Sequence, residues 1–419
     1  MSDVAGPIGE VRRLEVDCCI AGGGPAGMML GYLLARAGVK VVVLEKHADF
    51  LRDFRGDTVH PSTLEVMHDL GLLEAFLERP HDRADRLSAQ IGDTVAQVAD
   101  FRHLPTHAKF IAFMPQWEFL DFLAGEARRY AEFQLIMRAE ARDILIEDGR
   151  VVGMTGMTPE GPLEIRAPLV VGADGRTSAI RQRAALRIED LGAPMDVLWM
   201  RLPRRRDDAN FPLGRIDAGR VFVMIARGDY FQCAYVVAKG EYQAIQAKGL
   251  EAFRDSIVGL VPAMADRVHV LTDWDDVKLL TVTVNRLTRW WRPGLLCIGD
   301  AAHAMSPVGG VGINLAIQDA VAAANILSRP LAAGRLASEG LEAVQRRRET
   351  PTRLMQGLQL FIQKHVIAPT LSSSTRPTAP PPVWLLNRFP VLRRIPARVV
   401  GMGFRMERVR SPDALRRAP

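Results

Sequence analysis

A glycine-rich turn wedged between two apolar runs limits what the start of this chain folds into. Val16 to Ala21 (VDCCIA) leads into Gly22-Gly23-Gly24-Pro25-Ala26-Gly27, a helical stretch Met28 to Ala37, and a second apolar run, Val39 to Leu44. Strand, turn, helix and strand within about thirty residues describe a βαβ unit of the dinucleotide-binding kind. Gly22 permits the tight turn, Gly24 lets backbone amides approach a pyrophosphate, and Gly27 lets helix and strand pack closely. Pro25 and Ala26 complete the turn at a helix N-terminus, where unpaired N–H groups and the helix dipole favour anions. Glu45 ends the second run about twenty residues on, where a carboxylate accepts from a ribose diol, and Lys46 beside it joins the candidate nucleotide contacts. That carboxylate would repel a 2′-phosphate, so the expected nucleotide is FAD or NAD rather than NADP.

The remaining composition narrows the class. At 419 residues, 48% hydrophobic and 24% charged, the chain is expected to form two or three globular domains and needs no metal or disulfide to hold its core. Cys18, Cys19, Cys233 and Cys297 show no zinc spacing and sit in apolar runs, which reads as buried thiols in a reducing compartment. The charged first seventeen residues do not read as a signal peptide, so cytoplasmic residence is the expectation. The formal charge of +6 is concentrated at the end: Trp384 to Pro419 holds nine arginines against Glu407 and Asp413, leaving a net −1 elsewhere. A basic tail of this kind does not make the body a nucleic-acid binder. Its interleaved Trp384, Phe389, Ile395 and Phe404 leave two readings open, packing onto the body or a second subunit, and peripheral contact with an anionic membrane. Pro390 and Pro396 argue against one continuous helix there.

Two further motifs choose between the nucleotides. Leu169 to Gly172 (LVVG) leads to Ala173-Asp174-Gly175-Arg176-Thr177-Ser178 and Arg181. Leu295 to Ile298 leads to Gly299-Asp300-Ala301-Ala302-His303, then Pro307-Val308-Gly309-Gly310-Val311-Gly312-Ile313-Asn314 and a helix from Leu315. With these three motifs in order, residues from about Cys18 to Thr350 resemble the group A flavin-dependent monooxygenases, the p-hydroxybenzoate hydroxylase family with its ubiquinone-pathway and polyketide hydroxylase relatives.

The resemblance implies an α/β fold: a Rossmann-like FAD-binding domain with an inserted antiparallel-sheet substrate domain and a C-terminal helical segment. Residues 1–85, 108–185 and 285–350 would build the first, 86–107 and 186–284 the second, and 351–419 the helices, a Pro-rich linker and the basic tail. It also implies FAD as cofactor, held by the first motif, Asp174, Gly299, Asp300, Gly310, Gly312, Ile313 and Asn314, with NAD(P)H as a transient co-substrate. Asp300 would accept from ribityl hydroxyls, and the glycines opening the late helix would present amides to the flavin ring. Val311 stands where many relatives carry glutamine. Arg55 matches the family's arginine near the FAD phosphates, with Arg52 its rival, and Gln116 matches a flavin-contacting glutamine. A surface arginine and a helix-capping glutamine are the structural alternatives.

On the substrate side, Val197 to Leu202, Arg220 to Ala226, Tyr230 to Val237 and Val277 to Val284 read as strands, joined by Leu87 to Phe101. Phe231, Cys233 and Tyr235 share one face of their strand and Gln232 and Ala234 the other, and either face is available to line a pocket. Tyr235, Trp199, His60 and Pro307 are pocket candidates, the first three weighed against plain packing, and His303 reads as a structural hydrogen-bonding residue. Leu341 to Ile367 reads as a helix interrupted near Pro351, with Leu354, Leu358 and Phe361 as a core or dimer stripe. No protein catalytic set appears, and a flavin does not require one. The resemblance therefore implies an NAD(P)H- and oxygen-dependent hydroxylation of an aromatic or quinone-like molecule through a flavin hydroperoxide. The alternative is an FAD-dependent reductase on the same fold. A halogenase is disfavoured because Trp290-Trp291-Arg292-Pro293 lacks the WxWxIP pattern, and a non-catalytic FAD-binding protein remains the reading from another class.

Overall fold

The apolar runs that precede the three motifs lie side by side in one parallel sheet: Leu295–Cys297 beside Leu169–Gly172 beside Cys18–Ala21. The structure, a computed structural model, describes residues 11–51, 58–208 and 213–415. Val41–Glu45 and Phe133–Met137 continue the sheet in parallel on one side, and Trp291–Arg292 closes the other as an antiparallel edge. Ala21 stands opposite Gly172 and Gly172 opposite Cys297, so the three strands end level. The turns that follow therefore emerge together at one rim, where open α/β sheets bind their ligands.

Both faces of this sheet are covered, which is why its strands lack polar alternation. On one side, Val43 meets Gly31 of the Pro25–Arg36 helix, beside which the Gly312–Ala332 helix packs. On the other, Leu44 meets Gly156 of a four-stranded sheet ordered Arg12–Glu15, Gly161–Arg166, Arg150–Thr158, Glu140–Glu147. The segment Val308–Ala332 is long and apolar enough to cross a membrane, yet 78% of its apolar window is buried, and it serves as a core helix of the body. All four cysteines are free and buried, and burial pushes their thiols up.

A seven-stranded sheet stands over the rim, ordered Lys278–Leu280, Met195–Pro203, Tyr230–Ala238, Arg220–Arg227, Gly214–Asp217, Arg86–Ile91, Thr94–Asp100. The expected early strands do join it, but through a parallel pairing of Arg86–Ile91 with Gly214–Asp217, so the sheet is antiparallel in all pairings but one. The run expected as one strand from Val277 to Val284 divides. Asp196 accepts from Val282 N (3.0 Å) while Lys239 donates to Val282 O (2.7 Å), so side chains take the backbone groups a longer ladder would use. Asn285–Leu287 pairs instead with Ile188–Asp190 and His303–Ala304.

The C-terminal region corrects one expectation and narrows another. Helix Ser338–Ile362 runs through Pro351 without a break. A mid-helix proline costs about 3 kcal/mol in isolation. Here Pro351 and Thr352 are buried, and Arg348 and Gln356 tie the turns on either side to Asp319 and to the Asn285 and Ala304 carbonyls. Leu354 and Phe361 are exposed rather than core, and Leu358 is only partly buried. The tail forms three short pieces, Pro381–Arg388, Pro390–Arg393 and Arg394–Met402, and packs back on the body. Ala414 N donates to Arg36 O (2.7 Å), Asn325 Nδ2 to Arg408 O (2.8 Å), and Arg347 clasps Glu407 through two bonds of 2.7 and 3.0 Å.

Candidate functional site

The first motif forms a cradle whose glycines have separate reasons. Gly22 has φ +102°, and a Cβ there would stand 2.4 Å from the Ala173 carbonyl oxygen; a Cβ on Gly27 would stand 2.0 Å from that of Gly22. These two close the turn against strand and neighbouring motif. Around Gly24, by contrast, a Cβ would meet no atom within 4 Å, and its φ of −73° suits any residue. The first helical bond is Met28 N to Gly24 O, so the Ala26 and Gly27 amides precede the ladder, and Pro25 has no N–H to satisfy. Glu45, buried at the end of its strand, accepts from Gly23 N (3.1 Å) and His47 N (3.0 Å), which fixes the carboxylate beside the cradle. Lys46 is exposed next to it. An open glycine at a helix N-terminus with a carboxylate beside it fits the adenosine diphosphate part of FAD.

The second and third motifs are bolted to each other and to the first. Asp174 accepts from Ser178 Oγ (2.5 Å) and Ile180 N (3.1 Å), so its carboxylate organises its own turn. Arg181 donates to Ala301 O (3.1 Å) and Arg176 O (2.5 Å), crossing from one motif to the next. Arg176 Nε pairs with Asp300 Oδ2 at 3.1 Å, both side chains partly exposed. A Cβ on Gly299, φ +58°, would stand 3.0 Å from the Ala26 Cβ, so the third motif touches the first.

Behind Gly299 lies a buried charge network that the sequence reading missed. Asp319, fully buried, accepts from Gly299 N (3.1 Å), His303 Nε2 (2.5 Å) and Arg348 Nε (3.0 Å). Burial alone would raise its carboxyl, but His303 and Arg348 outweigh burial and hold it below the usual range. Arg348 continues to Arg405 O (3.0 Å) and Glu407 (3.4 Å). The one sequence signal was a charged pair, Asp319 and Arg348, on the apolar faces of two long helices. His303 takes the structural role expected of it.

The late glycine loop is held by the segment after the undescribed residues. Asn314 Oδ1 accepts from His60 N (2.8 Å) and Thr63 Oγ1 (2.8 Å), while its Nδ2 donates to Thr58 O (3.0 Å) and Gly310 O (3.3 Å). Four bonds use the amide fully. Asn314 thus pins the loop with its side chain and has only its backbone N–H left for a ligand. The first bond of the following helix is Leu315 N to Val311 O, so the amides of Gly312, Ile313 and Asn314 precede it, and Gly312 faces open space. Gly310, φ +63°, has no room for a side chain, since a Cβ would stand 2.5 Å from Thr58 Oγ1. Val311 is buried. Gln116 is the first residue of helix Gln116–Ala127, partly exposed, with Pro115 as cap. Arg55 and Arg52 lie outside the described residues.

Among the pocket candidates the sheet makes a choice. Tyr235 lies in a cluster with Phe222 and Phe253, its ring 5.4 Å from that of Phe253, beneath helix Leu250–Leu260. Of the two readings weighed for it, packing and substrate contact, this placement gives packing: its face of the sheet is core. Trp199 lies on the opposite face, in a cluster that includes Val308, next to Pro307 in the glycine loop. Register puts Gln232, Ala234, Val223 and Ile225 on that same face. There Trp199 Nε1 and Gln232 Nε2 are buried donors without a partner. His60 is fully buried; its Nδ1 contacts Val400 O at 2.8 Å, so Nδ1 carries the proton and Nε2 is left as an unpartnered acceptor. Burial pushes its pKa down to about 4.

Comparison with known proteins agrees with this geometry. A family model described as an FAD binding domain matches residues 15–357. The 6-methylpretetramide 4-monooxygenase of Streptomyces rimosus is 32% identical over 95% of this chain and 94% of its own length. The 12-dehydrotetracycline 5-monooxygenase/anhydrotetracycline 6-monooxygenase of Streptomyces rimosus subsp. rimosus is 28% identical over 74% of this chain, which spans 61% of that relative's length. Among solved structures, PqsL from Pseudomonas aeruginosa, a probable FAD-dependent monooxygenase, superposes with a TM-score of 0.72 at 22% identity, covering 84% of this chain and 96% of its own. The p-nitrophenol 4-monooxygenase PnpA from Pseudomonas putida gives 0.75 at 17% identity, covering 94% and 100%. At these identities the two structures show the shared fold.

Proposed function

The chain belongs to the FAD-binding-domain family and is a flavin-dependent monooxygenase, and we propose that it hydroxylates an oxygen-bearing aromatic or quinone-like molecule held between the glycine loop and the sheet face of Trp199 and Gln232. FAD, reduced by NAD(P)H, supplies activated oxygen for transfer to an electron-rich carbon. The protein binds, orients and excludes water. Gly22, Gly24, Pro25, Ala26 and Gly27 would take the diphosphate, with Glu45 on the ribose and Lys46 alongside. Gly299 and Asp300, the latter steadied by Arg176, would take the ribityl chain, and the amides of Gly312, Ile313 and Asn314 the ring. The proposed division keeps the boundaries expected from sequence, with residues 86–107 and 186–284 as the substrate side.

The observation that carries the substrate reading is the pair of buried, unpartnered donors, Trp199 Nε1 and Gln232 Nε2, beside the apolar Ala234, Val223 and Ile225. A buried donor without a partner is costly. A substrate oxygen accepting from each would relieve that while the apolar remainder packs against the rings. Incubation with NAD(P)H, ¹⁸O₂ and a panel of phenols and polycyclic quinones tests the proposal. The expected result is substrate-accelerated NAD(P)H consumption with one ¹⁸O atom in the product, and a Gln232→Leu variant whose KM rises about fivefold with FAD content unchanged. Product oxygen drawn from water, or NAD(P)H consumption indifferent to every aromatic, would overturn it.

A further inference from the structure

Residues 381–402 have two faces of different kind. The inner face is engaged: Asn387 Nδ2 donates to Val95 O (3.4 Å), Arg393 donates to Gln97 Oε1 (2.7 Å) and Leu386 O (2.9 Å), and Ala397 is buried in a cluster with Phe101, Leu104 and Trp199. On the outer face Trp384, Leu385, Phe389, Val391 and Ile395 are 40% to 63% exposed, and Arg388, Arg394 and Arg398 are exposed among them. Helical spacing makes the separation. Trp384, Leu385 and Arg388 fall at i, i+1 and i+4 of one helix, and Arg394, Ile395 and Arg398 repeat that spacing in the next. No Asp or Glu occurs between Glu349 and Glu407, so this stretch supplies no negative charge of its own.

We infer that this outer face docks the protein on an anionic membrane surface. Trp and Phe rings suit the headgroup boundary, arginine stems reach past apolar neighbours to phosphates, and an acid-free stretch suits a negatively charged leaflet. A second copy of the chain fits less well, because it would bring the same arginines against themselves. The apolar residues also alternate with cations instead of forming the charge-depleted centre of a protein interface. The inner residues of the same helix, Ala397, Val400 and Met402, share a cluster with Trp199 and Val223. Docking therefore sets the lipid one helix away from the proposed substrate face, an arrangement suited to a lipophilic substrate. That last step rests on the proposed function, whereas docking itself does not.

The test is cosedimentation of the FAD-loaded full chain with vesicles of phosphatidylcholine alone or mixed with phosphatidylserine, at low and physiological salt. Two variants accompany it, Arg388→Gln/Arg394→Gln/Arg398→Gln and Trp384→Ser/Ile395→Ser, each checked for native flavin absorbance and circular dichroism. The expected outcome is salt-sensitive binding to the phosphatidylserine vesicles only. The arginine variant should weaken it on the order of a hundredfold, and the apolar variant by more than tenfold. Absence of binding, equal binding to neutral vesicles, or binding unchanged in both variants would overturn the inference. So would a dimer that the Trp384→Ser/Ile395→Ser variant dissociates without any vesicle binding, which would assign the face to a second copy.

Discussion

Gly22 and Gly24 stand two positions apart and are glycines for opposite reasons. Replacing Gly22 with alanine drives a Cβ into the Ala173 backbone at a left-handed φ, so the variant should lose on the order of 3 kcal/mol of stability, read from its denaturant midpoint. Replacing Gly24 with alanine adds a Cβ that has no protein atom within 4 Å. That variant should melt like the parent without cofactor and yet fail to retain FAD, read from bound-flavin absorbance after gel filtration. His60 gives a second contrast. Its pKa of about 4 lies below the ordinary 6.5, so as pH falls the unfolded chain takes up the proton first. Stability is therefore retained above pH 6.5 and lost by about 1.4 kcal/mol per unit between 6.5 and 4. Melting at pH 7 and pH 5 should show the parent losing about 2 kcal/mol more than a His60→Gln variant. A sequence shows that a glycine or histidine is present, but not which side of it is open. The same limit explains why the motif names Asn314 without showing that its side chain is used on Thr58, His60, Thr63 and Gly310.

Strands and helices followed the sequence wherever their environment was uniform. The three motif strands are short, uncharged and buried on both faces, and such runs announce themselves. The four-stranded sheet behind them is hard to read because Glu140–Glu147 and Gly161–Arg166 carry charges at exposed positions, and its edge strand Arg12–Glu15 pairs with Gly161–Arg166 from far away in sequence. Helix Ser338–Ile362 crossed Pro351 because packing on both sides outweighed one missing bond. Packing of the tail on the body was one of the readings the sequence left open, but its partners were not legible, since Glu407 meets Arg347 and Arg348 only in space. That packing gives a prediction. A chain ending at Met402 keeps Asp319 paired with Arg348 but strips the arginine of Arg405 O and Glu407. Leaving part of a buried guanidinium unpaired costs about 3 kcal/mol. The truncated protein should therefore unfold at lower denaturant, and Arg348→Met, which takes from the buried Asp319 its guanidinium partner and leaves it only His303 and Gly299 N, should be at least as damaging.

The molecule as a whole brings three motifs to one rim, and a ligand that touches all three should act on the entire fold. Saturating FAD at about a hundred times its dissociation constant should add about 2.7 kcal/mol to unfolding, and calorimetry should show one shifted transition if the two sheets unfold together. The general architecture was open to a reader of the sequence because its motifs are local. The choice between the faces of the substrate sheet was not, since Tyr235 and Gln232 are neighbours on an alternating strand until the helix Leu250–Leu260 is known to cover one of them. The level ending of the three central strands also has a consequence for birth at the ribosome. Cys18–Ala21 has its inner neighbour only after Leu169–Gly172 has emerged, and that strand has its own only after Leu295–Cys297. The nascent chain must therefore carry its glycine cradle unclosed through most of translation, exposed to chaperones and aggregation, and it gains the capacity to hold flavin only when the last third is made.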